Sequence, residues 1–143
     1  MALFDAIRRG LIEYERRTFD GAAEGLDRQA EAVTRRMRAT TAHGDQTGAT
    51  RTSYNARRVG RGETGAGVVQ SLRAVVNLLN AGHAANGRVT ITGPLGVIVD
   101  SQTDYQSKLE TERAGARAVI GPTIQAEAQG FTRAAAEGAR RKL

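Results

Sequence analysis

From residue 2 to about 41, apolar side chains recur at spacings of three and four: Leu3, Phe4, Ile7, Leu11, Tyr14, Ala22, Leu26, Ala30, Val33 and Met37. That period places them on one stripe of a single long helix. The opposite face alternates in charge, with Glu13 four before Arg17, Glu24 four before Arg28 and Glu31 four before Arg35. Each such pair adds about 0.3 kcal/mol to helix stability. Gly10, Gly21 and Gly25 lower helix propensity, so a break near Asp20-Gly21 is the expected weak point. An amphipathic helix can lie on a membrane, but this polar face is balanced in charge rather than basic, which favours packing against protein.

The rest of the chain offers that stripe little to pack against. Apolar residues are 40% of 143, yet much of this is alanine and aromatics are 4%. One domain, residues 1–143, is expected, with a thin core whose burial a partner subunit completes. Cysteine is absent, which removes disulfides, a thiolate nucleophile and cysteine metal sites. The start MALFDAIRRG has no apolar run after its charges, so no signal peptide is expected. No 18-residue apolar stretch occurs, so no membrane span or membrane partner is expected.

The net charge is +6. Residues 1–38 are nearly balanced, and the excess falls on Arg51, Arg57, Arg58 and Arg61 and on the C-terminal end. Arginine suits phosphate, and it equally suits carboxylates of a neighbouring subunit. No dense basic block with interleaved aromatics marks a dedicated nucleic-acid module.

Ala42 to Gly67 is rich in Gly, Thr and Arg and lacks periodicity. It reads as a long exposed loop, with a short extended piece near Arg51 to Val59. Loops of this length are usually functional or disordered, and residues 44–67 are expected to extend from the body and order on assembly. Val68, Val69, Leu72, Val75, Val76 and Leu79 then suggest a second helix, closed by Asn80-Ala81-Gly82. In RVTITGPLGVIVD, alternation, a Gly93-Pro94 turn and a second apolar run signal a hairpin. Pro122 opens a last helix, whose apolar face is Ile124, Ala128, Phe131 and Ala135. The fold class is therefore α+β: a long N-terminal helix, a small antiparallel sheet packed by helices, a long exposed loop and a C-terminal helix. Two strands are marginal, so further strands are expected from the Arg51 to Val59 region or from neighbouring subunits.

Constellations for chemistry are poor. No serine sits in a GxSxG elbow. Gly60/Gly62 and Gly65/Gly67 lack the lysine of a phosphate loop. His43 and His83 have no ligand-like spacing and read as loop residues. Asp100, Asp104, Glu110 and Glu112 cluster in sequence without a second cluster or a histidine, so salt bridges to arginines account for them better than a metal or acid/base site. No catalytic residue, metal or cofactor is expected. The residues alone support an oligomeric assembly protein.

Three segments extend this reading: TGATRTSY at Thr47 to Tyr54, VTITGPLGVIVDSQTDYQSKLETERAG with Asp104-Tyr105 and Leu109-Glu110, and AVIGPTIQAEAQGFTRAAAEG. In order and spacing they resemble the tail completion or head–tail joining proteins at the neck of long-tailed bacteriophages. The resemblance spans roughly Ala42 to Gly138. It implies a non-enzymatic structural protein of the virion, assembled in the host cytoplasm. Such a protein forms a homo-oligomeric ring, hexameric or dodecameric, between the portal or head-completion proteins and the tail tube, and DNA passes through it. On that reading Thr47, Gly48, Arg51, Ser53, Tyr54, Arg57, Arg58 and Arg61 belong to an assembly segment. Arg57, Arg58 and Arg61 are also the candidates for weak, sequence-independent contact with DNA in the lumen. Tyr105 and Leu109 would anchor their segment to the sheet, while Glu110, Glu112 and Arg113 would face neighbours. The alternatives are a tail terminator or another tail or capsid accessory protein, and, in another class, a sequence-independent DNA-binding protein.

Overall fold

The computed structural model describes residues 2–39, 52–72, 78–84, 87–102, 110–111 and 118–143. Helix α1 spans Ala2–Ala39, and helix α2 spans Ile120–Arg141. Between them lie β1 (Tyr54–Val59), β2 (Thr64–Gly65), β3 (Gly67–Ser71), β4 (Leu78–His83), β5 (Val89–Thr90) and β6 (Gly96–Ser101). Four strands form an antiparallel sheet in the order β1-β6-β3-β4, and β2 pairs with β5 in a separate ribbon. The α+β class is thus shown, and α1 is unbroken through Asp20-Gly21.

The two helices cover one face of the sheet. Alternation sends Tyr54, Ala56, Val69, Val97 and Val99 into a core with Leu26, Val33, Met37, Ile120, Ile124 and Phe131. On the other face, Val68, Ile91 and Ile98 form a smaller cluster flanked by Val59 and Val89.

Helices α1 and α2 run antiparallel and touch backbone to backbone. A Cβ on Gly21 would overlap the carbonyl of Gly138, and one on Gly25 would overlap the carbonyl of Ala134. Gly21 and Gly25, two of the three glycines expected to weaken α1, are the contact that lets α2 approach, and there packing outweighs a propensity cost of about 1 kcal/mol each. Arg36 pairs with Glu127 at 2.7 Å and Lys142 with Glu24 at 3.1 Å, at the two ends of this contact.

Three expectations are corrected. Val68 to Leu79 is not a helix, since Gly67–Ser71 and Leu78–His83 are strands. Every residue of β3 is buried, with Val69 facing the helices and Val68 the ribbon, so a strand covered on both faces gives an apolar run that imitates helical spacing. RVTITGPLGVIVD is not a hairpin. Both edges of β6 are taken by β1 and β3, and β5 is drawn off to β2. The Gln70 carboxamide holds the turn by accepting the Thr92 N–H at 2.7 Å and the Gly93 N–H at 3.0 Å.

Nor are residues 44–67 one extended loop. β1 and β2 lie within that span, joined by a turn at Arg61-Gly62 where Gly62 has φ 92°. A strand near Arg51 to Val59 was expected, and β1 supplies it within this chain. Its outer edge meets α1: the Ala56 N–H donates to Thr34 Oγ1 at 2.9 Å, and Arg38 Nε donates to the Tyr54 carbonyl at 3.0 Å. The first half of this edge is thereby closed to a further strand.

Candidate functional site

The core described above uses only part of α1. From Thr18 onward the stripe is buried at Thr18, Ala22, Leu26, Ala30, Val33 and Met37. Residues 2–17 extend past the end of α2 for about 24 Å at ~1.5 Å per residue. Along this overhang Leu3, Phe4, Ile7, Leu11, Ile12 and Tyr14 are between 51% and 71% exposed. The side chains that give the sequence its strongest period therefore have no intrachain partner surface among the described residues. Ile12 widens the patch beyond the three-and-four spacing.

Local ion pairs stiffen the polar side of the overhang. Glu13 accepts from Arg16 at 2.7 Å and from Arg17 at 3.1 Å. The Arg16 hydrogen bond, followed by that of Arg17, holds the Glu13 carboxyl below its ordinary range, and Glu13 in turn raises Arg16. A contiguous patch of six large apolar side chains on a stiffened helix is the kind of surface that soluble monomers rarely leave open.

A second assembly of residues secures the start of α2. The sequence offers no capping side chain at Val119. Glu110 supplies the acceptor from upstream. Its Oε1 accepts the Val119 N–H at 2.8 Å and the Ile120 N–H at 2.7 Å, and its Oε2 accepts the Gly121 N–H at 3.0 Å. Pro122 has no N–H, and the Thr123 N–H returns to the Val119 carbonyl at 2.9 Å. Every donor of the helix start is thereby accounted for. His83, at the end of β4, lies 3.4 Å from Glu110 Oε2. The expectation that Glu110 faces neighbours is corrected: the residue is 6% exposed and its carboxylate is a helix cap. His83 is likewise part of this cluster rather than an isolated loop residue.

The remaining predicted residues divide as follows. Thr47, Gly48, Arg51, Tyr105, Leu109, Glu112 and Arg113, with His43 and Asp104, lie outside the described residues. Tyr54, expected at an interface, is fully buried in the helix-side core, because its position in β1 alternates onto that face. Ser53 Oγ lies 2.8 Å from Ser101 Oγ. Arg58 pairs with Asp27 of α1 at 2.9 Å. Arg57 and Arg61 are exposed. Arg57 lines a polar hollow of about 330 Å³ with Asn55, Arg88 and Asp100. Asp100 pairs with Arg88 at 3.1 Å, an ion pair of the type expected for it. The structure thus separates Arg57 from Arg58, which point to opposite faces of the sheet, so the two do not form one basic surface.

Among the described residues no group of three His, Asp or Glu side chains could hold a metal ion. No helix there is long and apolar enough to cross a membrane. No family model, curated protein or solved structure matches the chain.

Proposed function

We propose that this protein is a structural subunit of a bacteriophage neck, a tail completion or head–tail joining protein that assembles into a ring through which DNA passes. The observation that carries the assembly part is the open apolar stripe from Leu3 to Tyr14 on the overhang of α1. The overhang of a helix that leaves six large apolar side chains in water gains packing stabilisation when a partner covers them. The neck assignment rests on the ordered resemblance of the Thr47 to Tyr54, Val89 to Gly115 and Ala118 to Gly138 segments. No chemistry is ascribed to the chain: the buried Glu110 is engaged as a helix cap, and the exposed arginines suit phosphate without base readout.

The test is native mass measurement combined with negative-stain imaging of the purified chain, alone and mixed with tail-tube and head-completion proteins. A closed hexamer or dodecamer that joins those proteins is the expected result. A chain that stays monomeric at all concentrations and joins none of them would refute the reading. Open-ended polymers would point instead to a tube subunit.

A further inference from the structure

The open stripe raises the question of what covers it. Among the described residues nothing of the same chain does. α1 is one continuous helix from Ala2 to Ala39, so its first half is held out along the axis of its second half and does not fold back. The stripe is also in phase with the buried residues from Thr18 to Met37, so it prolongs an established helix-packing face rather than starting a new one.

A receiving surface exists at the other end of the molecule. Three hollows of about 170, 600 and 220 Å³ share lining residues and so form one groove between α1 and α2. Gln29 and Ala134 join the first two, and Arg36 and Ala126 join the last two. From Pro122 to Arg141 the groove runs about 28 Å at ~1.5 Å per residue, enough for the overhang of about 24 Å. Its end near the start of α2 is apolar, lined by Met37, Val119, Pro122 and Ala126. Farther along, small residues at Gly130 and Ala134 keep it open between walls of both charges, Arg133 and Glu137. The overhang carries both charges beside its stripe as well, at Arg8 and Glu15.

We infer that the stripe of α1 seats in the α1–α2 groove of a second copy of this chain. The inference rests on the reading of the protein as a self-assembling subunit, and names the two surfaces. Because they lie at opposite ends of α1, the contact is heterologous. Each copy offers a stripe to one neighbour and a groove to the other, the arrangement that closes into a ring when the rotation permits. Pairing of one stripe with another would use about two heptads of helix, which is marginal on its own, and would leave the groove empty.

Two variants test the contact without knowledge of its register. Ile7→Arg spoils the stripe and leaves the groove intact. Ala126→Arg, at an exposed position, spoils the groove and leaves the stripe intact. Each alone should be monomeric by native mass spectrometry, with a melting temperature within a few degrees of the monomer's. Mixed at high protein concentration, they should form a 1:1 heterodimer and nothing larger, because only one sound interface can form. The chain has no cysteine, so Leu11→Cys and Ala126→Cys report independently. A short bis-maleimide should join the two variants to each other at least tenfold faster than either to itself. Cross-linking of Leu11→Cys to itself instead, or a mixture of the arginine variants that stays monomeric, overturns the inference. If oligomers of the wild-type chain persist in both arginine variants, the ring reading survives and this contact does not. If the wild-type chain is itself monomeric throughout, this contact fails, and the neck reading fails with it when the chain also joins no tail-tube or head-completion protein.

Discussion

Replacing Glu110 by alanine removes one carboxylate and strands three backbone donors at the start of α2, those of Val119, Ile120 and Gly121. Val119 and Ile120 are 3% and 0% exposed, so water does not readily take the place of the lost acceptor. A buried donor left unpaired costs about 1–3 kcal/mol, and a carboxylate at a helix N-terminus contributes about 0.3–1 kcal/mol more. The Gly121 N–H, in a half-buried residue, is the easiest to rehydrate. Against these losses stands relief from desolvating a charge. The net expectation is a destabilisation of about 3 kcal/mol. With an unfolding entropy of ~2.1 cal/mol/K per residue, that corresponds to a melting temperature lower by roughly 10 °C. Glu110→Gln keeps one acceptor oxygen but sets an amide group against a backbone N–H, so it should fall between wild type and alanine. His83→Ala should cost less than about 1 kcal/mol, because the imidazole contact is 3.4 Å and its side chain is 24% exposed. The assay is thermal and guanidinium unfolding followed by circular dichroism at fixed protein concentration. An alanine variant that melts within 2 °C of wild type would refute the capping argument (about 0.5 kcal/mol on the same scale).

Glycines of the two helices should respond in opposite directions to added side chains. Gly138→Val in α2 drives a branched side chain into the Gly21 backbone and should cost more than about 3 kcal/mol, whereas Gly10→Ala, with nothing within 4 Å, should stabilise by about 0.5–1 kcal/mol. Denaturant midpoints of the two variants check both signs. Ile7→Ser with Leu11→Ser leaves the core untouched, so monomer stability should hold while association weakens about 30-fold or more: burying the exposed half of each side chain is worth about 1 kcal/mol. Sedimentation equilibrium reads that change. If the ring encloses DNA, Arg57→Ala with Arg61→Ala should lower the salt slope of duplex binding by at most about 2, uniformly across sequences. A sequence-dependent loss in a fluorescence-anisotropy titration would contradict the lumen role.

What the sequence revealed depended on whether one periodicity sufficed. α1 and α2 are amphipathic on a single face, and their stripes are legible at three-and-four spacing from Leu26 to Met37 and from Ile124 to Ala135. β3 is buried on both faces, so Val68 and Val69 show no alternation and passed for helix. In RVTITGPLGVIVD the strand signals were genuine, but alternation identifies a strand and not its partner. Gly21 and Gly25 read locally as weak points. Their spacing of four is matched by Gly130, Ala134 and Gly138 in α2, a signal of close helix approach that only pairing the two helices makes visible. Glu110 was hardest to place: its role is fixed by backbone donors nine to eleven positions later. The one sequence clue was negative, since a helix opening Val-Ile-Gly-Pro carries no Ser, Thr, Asp or Asn to cap it.

Side-chain size along α1 gives the division of labour its energetic sense. Where α2 covers the helix, the contact residues include Gly21, Ala22, Gly25 and Ala30, which bring backbones close but bury little apolar area each. Where no described residue covers it, the stripe carries Leu3, Phe4, Ile7, Leu11, Ile12 and Tyr14. A chain selected only to fold as a monomer would be expected to carry small or polar side chains on the overhang. Burial of the exposed fraction of six large side chains is worth on the order of 6 kcal/mol at about 1 kcal/mol each, comparable with the lower estimates of the cost of bringing two subunits together. The groove residues that it covers add to this, so one such contact holds a pair of copies at high protein concentration only. A closed ring has as many such contacts as subunits, one more than an open chain of the same length, and the last contact to close is intramolecular and carries no further association cost. Closure rather than pairwise affinity would then set stability, and intermediates between monomer and ring should be scarce at every concentration.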